Sequence, residues 1–207
     1  RQPELGGQIN ILTKVEEHKE FGDVTRYLTK EIERLGVEVR LGTSVTPETV
    51  ATESPDAVIV ATGGHATTTD EYLYGKNPRV TRWHDIEHAA DTLKKAESVV
   101  FIQCVGSRDD HRPYCSRICC TTSIAQAIAI KEQKPDTNVY ILYRDIRTYA
   151  EREVLNKKAR QLGVIFIRYS QERKPVVTEA DDKLAPENFS SGLLTRADSI
   201  EALAAAL

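Results

Sequence analysis

The sequence lacks several features that mark whole classes of protein. Its 207 residues include no methionine, and no apolar run approaches the roughly 20 residues that a membrane-spanning helix needs. The 28 basic and 31 acidic residues are interspersed, and the formal net charge of −3 indicates no basic surface for nucleic acid or an anionic membrane. The first residues do not form a charged and then apolar leader. We therefore expect a cytoplasmic protein with no nucleic-acid partner and no membrane span.

A second absence concerns the glycine loop of nucleotide-binding folds. The apolar stretch Glu97–Gln103 predicts a short buried strand, and Arg117–Lys131 predicts a buried helix. A nucleotide-binding βαβ unit carries G-x-G-x-x-G between such elements, but CVGSRDDHRPYCSRICC contains only Gly106. All four cysteines of the chain lie here, within 17 residues: Cys104, Cys115, Cys119 and Cys120. We predict that this unit holds a metal centre and does not bind NAD(P).

The cysteine set favours a [4Fe–4S] cluster, which is held by four thiolates. A helix N-terminus stabilises thiolates and an anionic cluster through its free N–H groups and its dipole. Cys115 and Cys119 are four residues apart and are predicted to share one helical face. Arg108, Arg112 and Arg117 are expected to lie around the site and to balance its charge.

Three further interpretations of the thiols stay open at this point. One is a redox-active dithiol formed by Cys115 with Cys119 or Cys120, since Cys115 and Cys120 have the C-x4-C spacing. Another is structural zinc, which would make the chain a non-catalytic, metal-stabilised scaffold, although the paired C-x2-C knuckles typical of zinc sites are missing. The last is a set of unconnected buried thiols.

Two glycine motifs nearer the start of the chain suggest a flavin site. LGGQ occupies Leu5–Gln8, and Thr62-Gly63-Gly64 follows an apolar stretch. Glycine lets a backbone approach a cofactor closely, and Gln8 supplies both a donor and an acceptor for a flavin. The candidate FAD-binding residues are Gly6, Gly7, Gln8, Thr62 and Gly63. By themselves, both motifs are more often ordinary turns than cofactor sites.

The remaining pattern predicts an α/β fold with doubly wound parallel sheets. Before the cysteine unit we expect a helix from Gly22 to Leu35, strands at Val37–Leu41 and Asp56–Ala61, a connector at Pro47–Thr52 and a helix at Asp85–Lys95. After it we expect a strand at Asn138–Tyr143, a helix at Glu151–Leu162, a strand at Val164–Arg168, then a polar turn-like stretch and a short alanine-rich helix in 195–207.

Two further groups of polar residues have mainly structural interpretations. His65, His84 and His88 are interpreted as surface or core histidines. The segment Tyr143–Arg147 lies where a nicotinamide domain recognises the adenosine ribose, and a paired charge cluster is at least as good an interpretation.

Taken in order, RQPELGGQ, DAVIVATGG and VVFIQCVGSRDDHRPYCSRICC resemble the flavoprotein A subunit of heterodisulfide reductases. The resemblance covers about residues 1–175, and its first half is also similar to the wider disulfide-reductase family, including flavin-dependent dienoyl-CoA reductases. It implies two Rossmann-like, thioredoxin-reductase-like domains, the first incomplete. Residues 1–84 would form a partial FAD-binding domain, 85–175 the domain of the four cluster cysteines, and 176–207 a returning helix of the FAD domain.

The resemblance also implies a function. FAD would occupy the first domain and the [4Fe–4S] cluster the second, and electrons would pass between them and partner subunits. Those partners would act on a disulfide, a ferredoxin, a hydrogenase or a formate-oxidising module, and the flavin would in some systems split an electron pair. The family's FAD pyrophosphate loop corresponds to sequence before Arg1. We therefore expect this chain to be a fragment that holds little FAD by itself.

Overall fold

A computed structural model describes residues 3–13, 18–64, 68–82, 85, 96–180, 183–187 and 202–205. The chain divides into two units, Arg1–His65 and Ala66–Leu207. This division falls earlier than the domain boundary predicted after residue 84. Of the predicted helix Asp85–Lys95, the structure describes only the first residue. His65, His84 and His88 also lie outside the described residues.

The helices and strands that the structure describes are numbered in chain order. The helices are α1 Gln8–Leu12, α2 Phe21–Arg34, α3 Pro47–Glu53, α4 Cys119–Gln133 and α5 Glu153–Gln161. The strands are β1 Val80–Arg82, β2 Ser98–Ile102, β3 Asn138–Tyr143, β4 Ile165–Arg168, β5 Val176–Ala180, β6 Lys183–Glu187 and β7 Ala202–Ala205.

The second unit is built around a five-stranded parallel sheet with the order β1-β7-β2-β3-β4. The bounds of β2, β3 and β4 agree with the predicted strands to within one residue at each end. Each of these strands is joined to the next by a helix, α4 or α5, as in a Rossmann-like fold. The predicted α/β fold with a parallel sheet is confirmed.

Strand β2 is buried on both faces because its side chains alternate between two cores. Val99 and Phe101 pack with residues of α4 and α5, including Ile124. Val100 and Ile102 point to the other face, where β5 contributes Val177. All five β2 residues are buried, as expected for a continuous apolar strand in a parallel sheet.

The structure corrects the prediction for the end of the chain. The stretch predicted to be turn-like contains the antiparallel hairpin β5–β6. The predicted alanine-rich helix is wrong for Ala202–Ala205, which form β7 and pair in parallel with both β1 and β2. Intrinsic helix propensity is a weak preference, and hydrogen bonding along both edges of a strand overrides it here.

The first unit follows its predicted helix but not its predicted strands. Helix α2 ends at Arg34, and Gly36 follows with a φ of +67°. The strands predicted at Val37–Leu41 and Asp56–Ala61 are wrong, since both stretches are exposed and form no ladder. The physical reason is that the described part of this unit contains no strand with which they could pair.

The predicted connector at Pro47–Thr52 is also wrong, because these residues lie in α3. The Thr46 side chain accepts a hydrogen bond from the Thr49 backbone N–H, and the Thr49 side chain accepts one from the Thr46 backbone N–H. Proline at the first helical position adds a φ already suited to a helix. This reciprocal cap stabilises a short helix with local interactions alone.

Candidate metal centre and flavin motifs

The cysteine loop begins at the carboxyl end of β2, where the strand order of the sheet changes direction. β3 and β4 continue on one side of β2, whereas β7 lies on the other. Ligands of open α/β folds bind outside the carboxyl ends of the strands at such a point. Cys104 lies two residues beyond β2 and has a left-handed φ of +62°, which turns the chain out of the sheet.

Helix α4 begins at Cys119, two residues later than predicted. Cys119 and Cys120 are each 3% exposed and are in contact with one another. Cys115 lies in the preceding loop and is partly exposed, so the prediction that it shares a helical face with Cys119 is wrong. The Cys115 sulfur instead accepts a hydrogen bond from the Arg117 backbone N–H at 3.3 Å.

The neighbouring thiols of Cys119 and Cys120 favour different protonation states. Hydrogen bonds from the Cys120 thiol, the Ser116 hydroxyl and the backbone of Cys120 and Cys104 lower the pKa of Cys119 to about 6, although burial opposes this. The pKa of Cys120 is raised, because its thiol donates to Cys119 and is buried. The pair therefore carries one thiolate at neutral pH, and a thiolate is the form that binds metals.

Arg108 connects the cysteine loop to the loop after β3. Its Nη1 donates to the Cys104 sulfur at 3.7 Å, and its Nη2 lies 2.6 Å from Asp145 Oδ2. The expected position of Arg108 beside the thiols is therefore confirmed. The Cys120 sulfur also lies at this edge, 3.8 Å from the Asp145 carbonyl, which is an alternative acceptor for its one thiol proton. The Arg108 guanidinium thus contacts both the Cys104 sulfur and the Asp145 carboxylate at the carboxyl edge of the sheet.

The charged segment after β3 is a paired cluster. The Asp145 carboxylate lies 2.6 Å from Arg108, 3.5 Å from Arg168 and 4.0 Å from Arg147. The hydrogen bond from Arg108 and these positive charges lower the pKa of Asp145. The interpretation as a charge cluster is confirmed, and the carboxylate that a ribose would need is already engaged.

Three of the four predicted ligands are buried near the carboxyl edge of the sheet. Cys104, Cys119 and Cys120 interact through the Cys104 backbone and the thiols, and all four cysteines are free. Among the described residues, no three Cys, His, Asp or Glu side chains are grouped closely enough to hold a metal ion. The donor chemistry fits an iron–sulfur cluster, because four free thiols lie in one loop and helix start and a cation is nearby.

Two residues at this site were not predicted from the sequence. Ser116 donates to the Cys119 sulfur, and Gln103 precedes Cys104 as a fully buried amide. Asp145 was predicted as part of a charge cluster, and its contact with Arg108 follows from the adjacency of β2 and β3. Ser116 and Gln103 have no comparable signal, because their hydrogen bonding and burial depend on the folded loop.

The first unit brings its two glycine motifs together. The Gln8 side chain donates a hydrogen bond to the Gly64 carbonyl, which joins LGGQ to the end of Thr62-Gly63-Gly64. Gly6 has a φ of +115°, and a Cβ built there would lie 2.1 Å from Asn10 Oδ1. Gly7 and Gly63 also have positive φ values of +52° and +67°. The glycines are therefore required by the backbone itself.

The fold and the site define the second unit as an α/β domain of the nucleotide-binding type, in which thiols replace the phosphate loop. No family model matches the chain. It is 33% identical over 165 residues to an iron-sulfur A subunit of CoB–CoM heterodisulfide reductase from Methanopyrus kandleri, covering 67% of this chain and 25% of that protein. It is also 35% identical over 131 residues to the A subunit of the H2/formate:CoB–CoM heterodisulfide, ferredoxin reductase of Methanococcus maripaludis, covering 54% of this chain and 20% of that protein.

A third relative, the iron-sulfur A subunit of CoB–CoM heterodisulfide reductase from Methanocaldococcus jannaschii, is 35% identical over 146 residues, covering 59% of this chain and 22% of that protein. The resemblance recognised in the motifs is thereby confirmed: this chain is a homologue of part of the heterodisulfide reductase A subunit. It spans a quarter or less of the length of these relatives. No helix in the described part of the chain is long and apolar enough to cross a membrane.

Proposed function

We propose that this chain is part of an electron-transfer subunit in which Cys104, Cys115, Cys119 and Cys120 bind one [4Fe–4S] cluster. The observation that carries the proposal is the burial of three cysteine sulfurs, Cys104, Cys119 and Cys120, at the carboxyl edge of the sheet, where hydrogen bonds also lower the pKa of Cys119. Two of the relatives are named iron-sulfur subunits, which supports the same assignment. The cluster, when bound, supplies one-electron redox chemistry.

The residues of this chain would prepare that site in three ways. Cys119 gives up its proton near neutral pH because Cys120 and Ser116 donate to its sulfur. Arg108 places a positive charge at Cys104. In the first turn of α4, the Cys120 backbone N–H donates to the Cys119 sulfur, and the helix dipole favours negative charge there.

The FAD part of the proposal concerns the first unit. Gly6, Gly7 and Gln8 would line one side of a flavin, and Thr62 and Gly63 would approach it from the adjoining stretch. The hydrogen bond between Gln8 and Gly64 supports the proposal, because it brings both motifs to one place. The pyrophosphate would need a glycine-rich turn and a helix N-terminus outside these residues.

The partners would be other subunits of a heterodisulfide-reductase-like complex in the cytoplasm. One relative is named for H2, formate and ferredoxin as well as the heterodisulfide. Electrons would pass between FAD, the cluster and partner subunits of this kind, with electron bifurcation as the most elaborate form of the reaction.

Iron and acid-labile sulfide analysis tests the cluster. We expect about four irons per chain after anaerobic reconstitution, the stoichiometry of a cubane with four thiolate ligands. Cys119→Ser and Cys120→Ser should remove or convert the cluster, and Cys115→Ser should do so although that residue lies outside α4. The control is Tyr114→Phe, an exposed position in the same loop. Stoichiometric zinc without iron would overturn the proposal.

One observation favours a second function, that of a thiol–disulfide oxidoreductase. A thiolate next to a protonated thiol is typical of a redox-active dithiol, and the opposite pKa shifts of Cys119 and Cys120 support this function. Cys115, paired with Cys119 or Cys120, would then attack the substrate disulfide. Reversible oxidation of two thiols in iron-free protein, unaffected by iron supply, would favour this function over the cluster.

Flavin binding needs a separate experiment on a longer polypeptide that begins before Arg1. We expect it to bind about one FAD per chain, a single-site expectation for a Rossmann domain, and Gly7→Val to abolish binding. Gly42→Val is the matched control, since both glycines have positive φ and open space where a Cβ would lie. The 207-residue chain itself should retain little FAD. Full occupancy in it would contradict the assignment.

A further inference from the structure

Gln103 is a buried amide whose hydrogen-bonding groups are unused. Its side chain is 0% exposed, and neither Nε2 nor Oε1 has a hydrogen-bond partner among the described residues. A fully desolvated amide without partners destabilises a fold, and buried polar groups almost always have a partner. An unpaired amide next to a proposed ligand therefore indicates a partner that the described residues do not provide.

The position of Gln103 follows from the alternation of β2. Val99 and Phe101 face α4, so Gln103 faces α4 as well, about 7 Å further along at the rise of a strand. Phe101 packs in the same core as Ile124, and Cys120 lies four residues before Ile124, about 6 Å towards the start of the helix. Gln103 therefore lies level with the cysteines at the start of α4.

Two other contacts hold Gln103 at this level. Its backbone N–H donates to the Leu142 carbonyl at 2.9 Å, which continues the pairing of β2 with β3. Its carbonyl accepts a hydrogen bond from the buried Tyr169 hydroxyl. The backbone is thus fixed on both sides, and the amide is left as the only polar part of the residue without a partner among the described residues.

A second unpaired group supports a polar pocket at this place. The Ser123 hydroxyl on α4 is fully buried and has no partner among the described residues. Ser123 lies one helical turn after Cys119 and Cys120, on the side of the helix that leads to Ala127 in the core. Sulfur ligands and bridging sulfides accept hydrogen bonds, so donors placed beneath them would find partners only when the cluster is bound.

We propose that the Gln103 amide donates a hydrogen bond to a sulfur of the cluster and thereby raises its reduction potential. The inference rests on the proposed [4Fe–4S] site. The donor is Nε2, because the cluster sulfurs are acceptors. Reduction adds one electron and negative charge to the cluster, and a hydrogen bond to sulfur stabilises the more negative state. Gln103 is a positioning and tuning residue and takes no part in ligation.

The test compares reconstituted full-length chains in a dithionite titration followed by electron paramagnetic resonance. Gln103→Leu and Gln103→Met remove the donor and keep a similar volume. Each should reduce the ratio of reduced to oxidised cluster at a fixed potential by about tenfold, which is a shift of about 59 mV for one electron. Gln133→Leu is the matched control at the far, exposed end of α4 and should leave the potential unchanged.

A measurement on cluster-free protein separates tuning from a structural role. If the amide has no protein partner, Gln103→Leu should leave the melting temperature unchanged or raise it. A lower melting temperature together with an unchanged cluster potential would make Gln103 structural and overturn the inference. Loss of the cluster from both variants while the fold stays intact would also overturn it, because Gln103 would then act in assembly.

Failure of the cluster assignment is distinguishable from failure of this inference. Wild-type protein without iron and sulfide after reconstitution would sink the proposed function and the inference with it. Wild-type and variant clusters with equal iron content and equal potentials would sink the inference alone.

Discussion

The two units of this chain use apolar residues in opposite ways. In the second unit, all five side chains of β2 are buried between neighbouring strands and helices. In the first unit, the similar stretch Val58-Ile59-Val60 is exposed, with Ile59 at 90% and Val60 at 80%. Both stretches favour strands by composition, but only β2 has partners on both of its edges. An apolar run becomes a strand when other strands satisfy its backbone.

The proposed sites differ in the same manner. In the second unit, Arg108 reaches Asp145 across 37 residues of sequence and the thiols are buried between two elements. In the first unit, one described hydrogen bond, from Gln8 to Gly64, joins the flavin motifs. The difference indicates that the cysteine site is organised by the sheet, whereas the flavin motifs are organised mainly by their own backbone conformations.

The largest expected effect tests burial directly with the same substitution in each unit. Ile141→Ala in β3 removes a side chain that is 0% exposed and should lower the free energy of unfolding by about 2–5 kcal/mol. Ile59→Ala, at 90% exposure, should change it by less than about 0.5 kcal/mol. Urea unfolding of the full chain measures both. Equal losses would show that the segment around Ile59 is buried in solution.

The next prediction concerns the pH dependence of the metal-free protein. The pKa of Cys119 is lowered to about 6 by the Cys120 thiol and its other donors, so the folded pair loses a proton that the unfolded thiols keep until about pH 8.5. The Cys119 thiolate therefore contributes fully to the free energy of unfolding above the unfolded pKa of about 8.5. This contribution is lost as pH falls through the folded pKa of about 6.

Thiolate absorbance near 240 nm measures this titration. We expect a thiolate with an apparent pKa of about 6 in the wild type and a pKa nearer the ordinary value of about 8.5 in Cys120→Ala. Cys115→Ala is the control, because Cys115 does not contribute to lowering the pKa of Cys119. An unchanged titration in Cys120→Ala would contradict the paired arrangement.

A smaller loss in the free energy of unfolding is expected when one ion pair is removed from each unit. Arg108→Met breaks a pair in which the arginine side chain is 20% exposed, and the pair joins two loops. Because Asp145 is 43% exposed, solvent screening limits the loss to about 1 kcal/mol. Arg26→Met breaks an exposed pair with Asp23 within α2 and should cost about 0.3 kcal/mol. Urea midpoints would measure both, and a larger loss for Arg26→Met would reverse the comparison.

A local effect is expected at the cap of α3, the clearest local stabilisation in the first unit. Thr46→Ala removes the side chain that accepts from the Thr49 backbone and should weaken the helix by about 0.5 kcal/mol, the low end for an exposed cap. Amide exchange at Val50–Glu53 should accelerate. Thr43→Ala, outside the helix, should leave exchange unchanged. Equal exchange in the two variants would mean that tertiary contacts hold α3.

The spacing of apolar residues correctly predicted α2, α4, α5 and the central strands of the sheet, because the apolar pattern of each element lies within its own residues. It missed α3, although Thr46, Pro47 and Thr49 form a recognisable N-terminal cap. It also predicted the wrong structure for Ala202–Ala205, whose partners β1 and β2 lie about 100 residues or more away in sequence. No local pattern contains that information.

By itself, the sequence determined the α/β class, the replacement of a glycine loop by four cysteines and the family resemblance, because spacing and composition encode these features directly. Tertiary structure alone decided that Cys115 lies outside α4, that Cys119 is the thiolate and that Asp145 orients Arg108. It also decided that the Gln103 amide is fully buried. The physical reason is that protonation, burial and ion pairing depend on neighbours brought together by the sheet and not on neighbours along the chain.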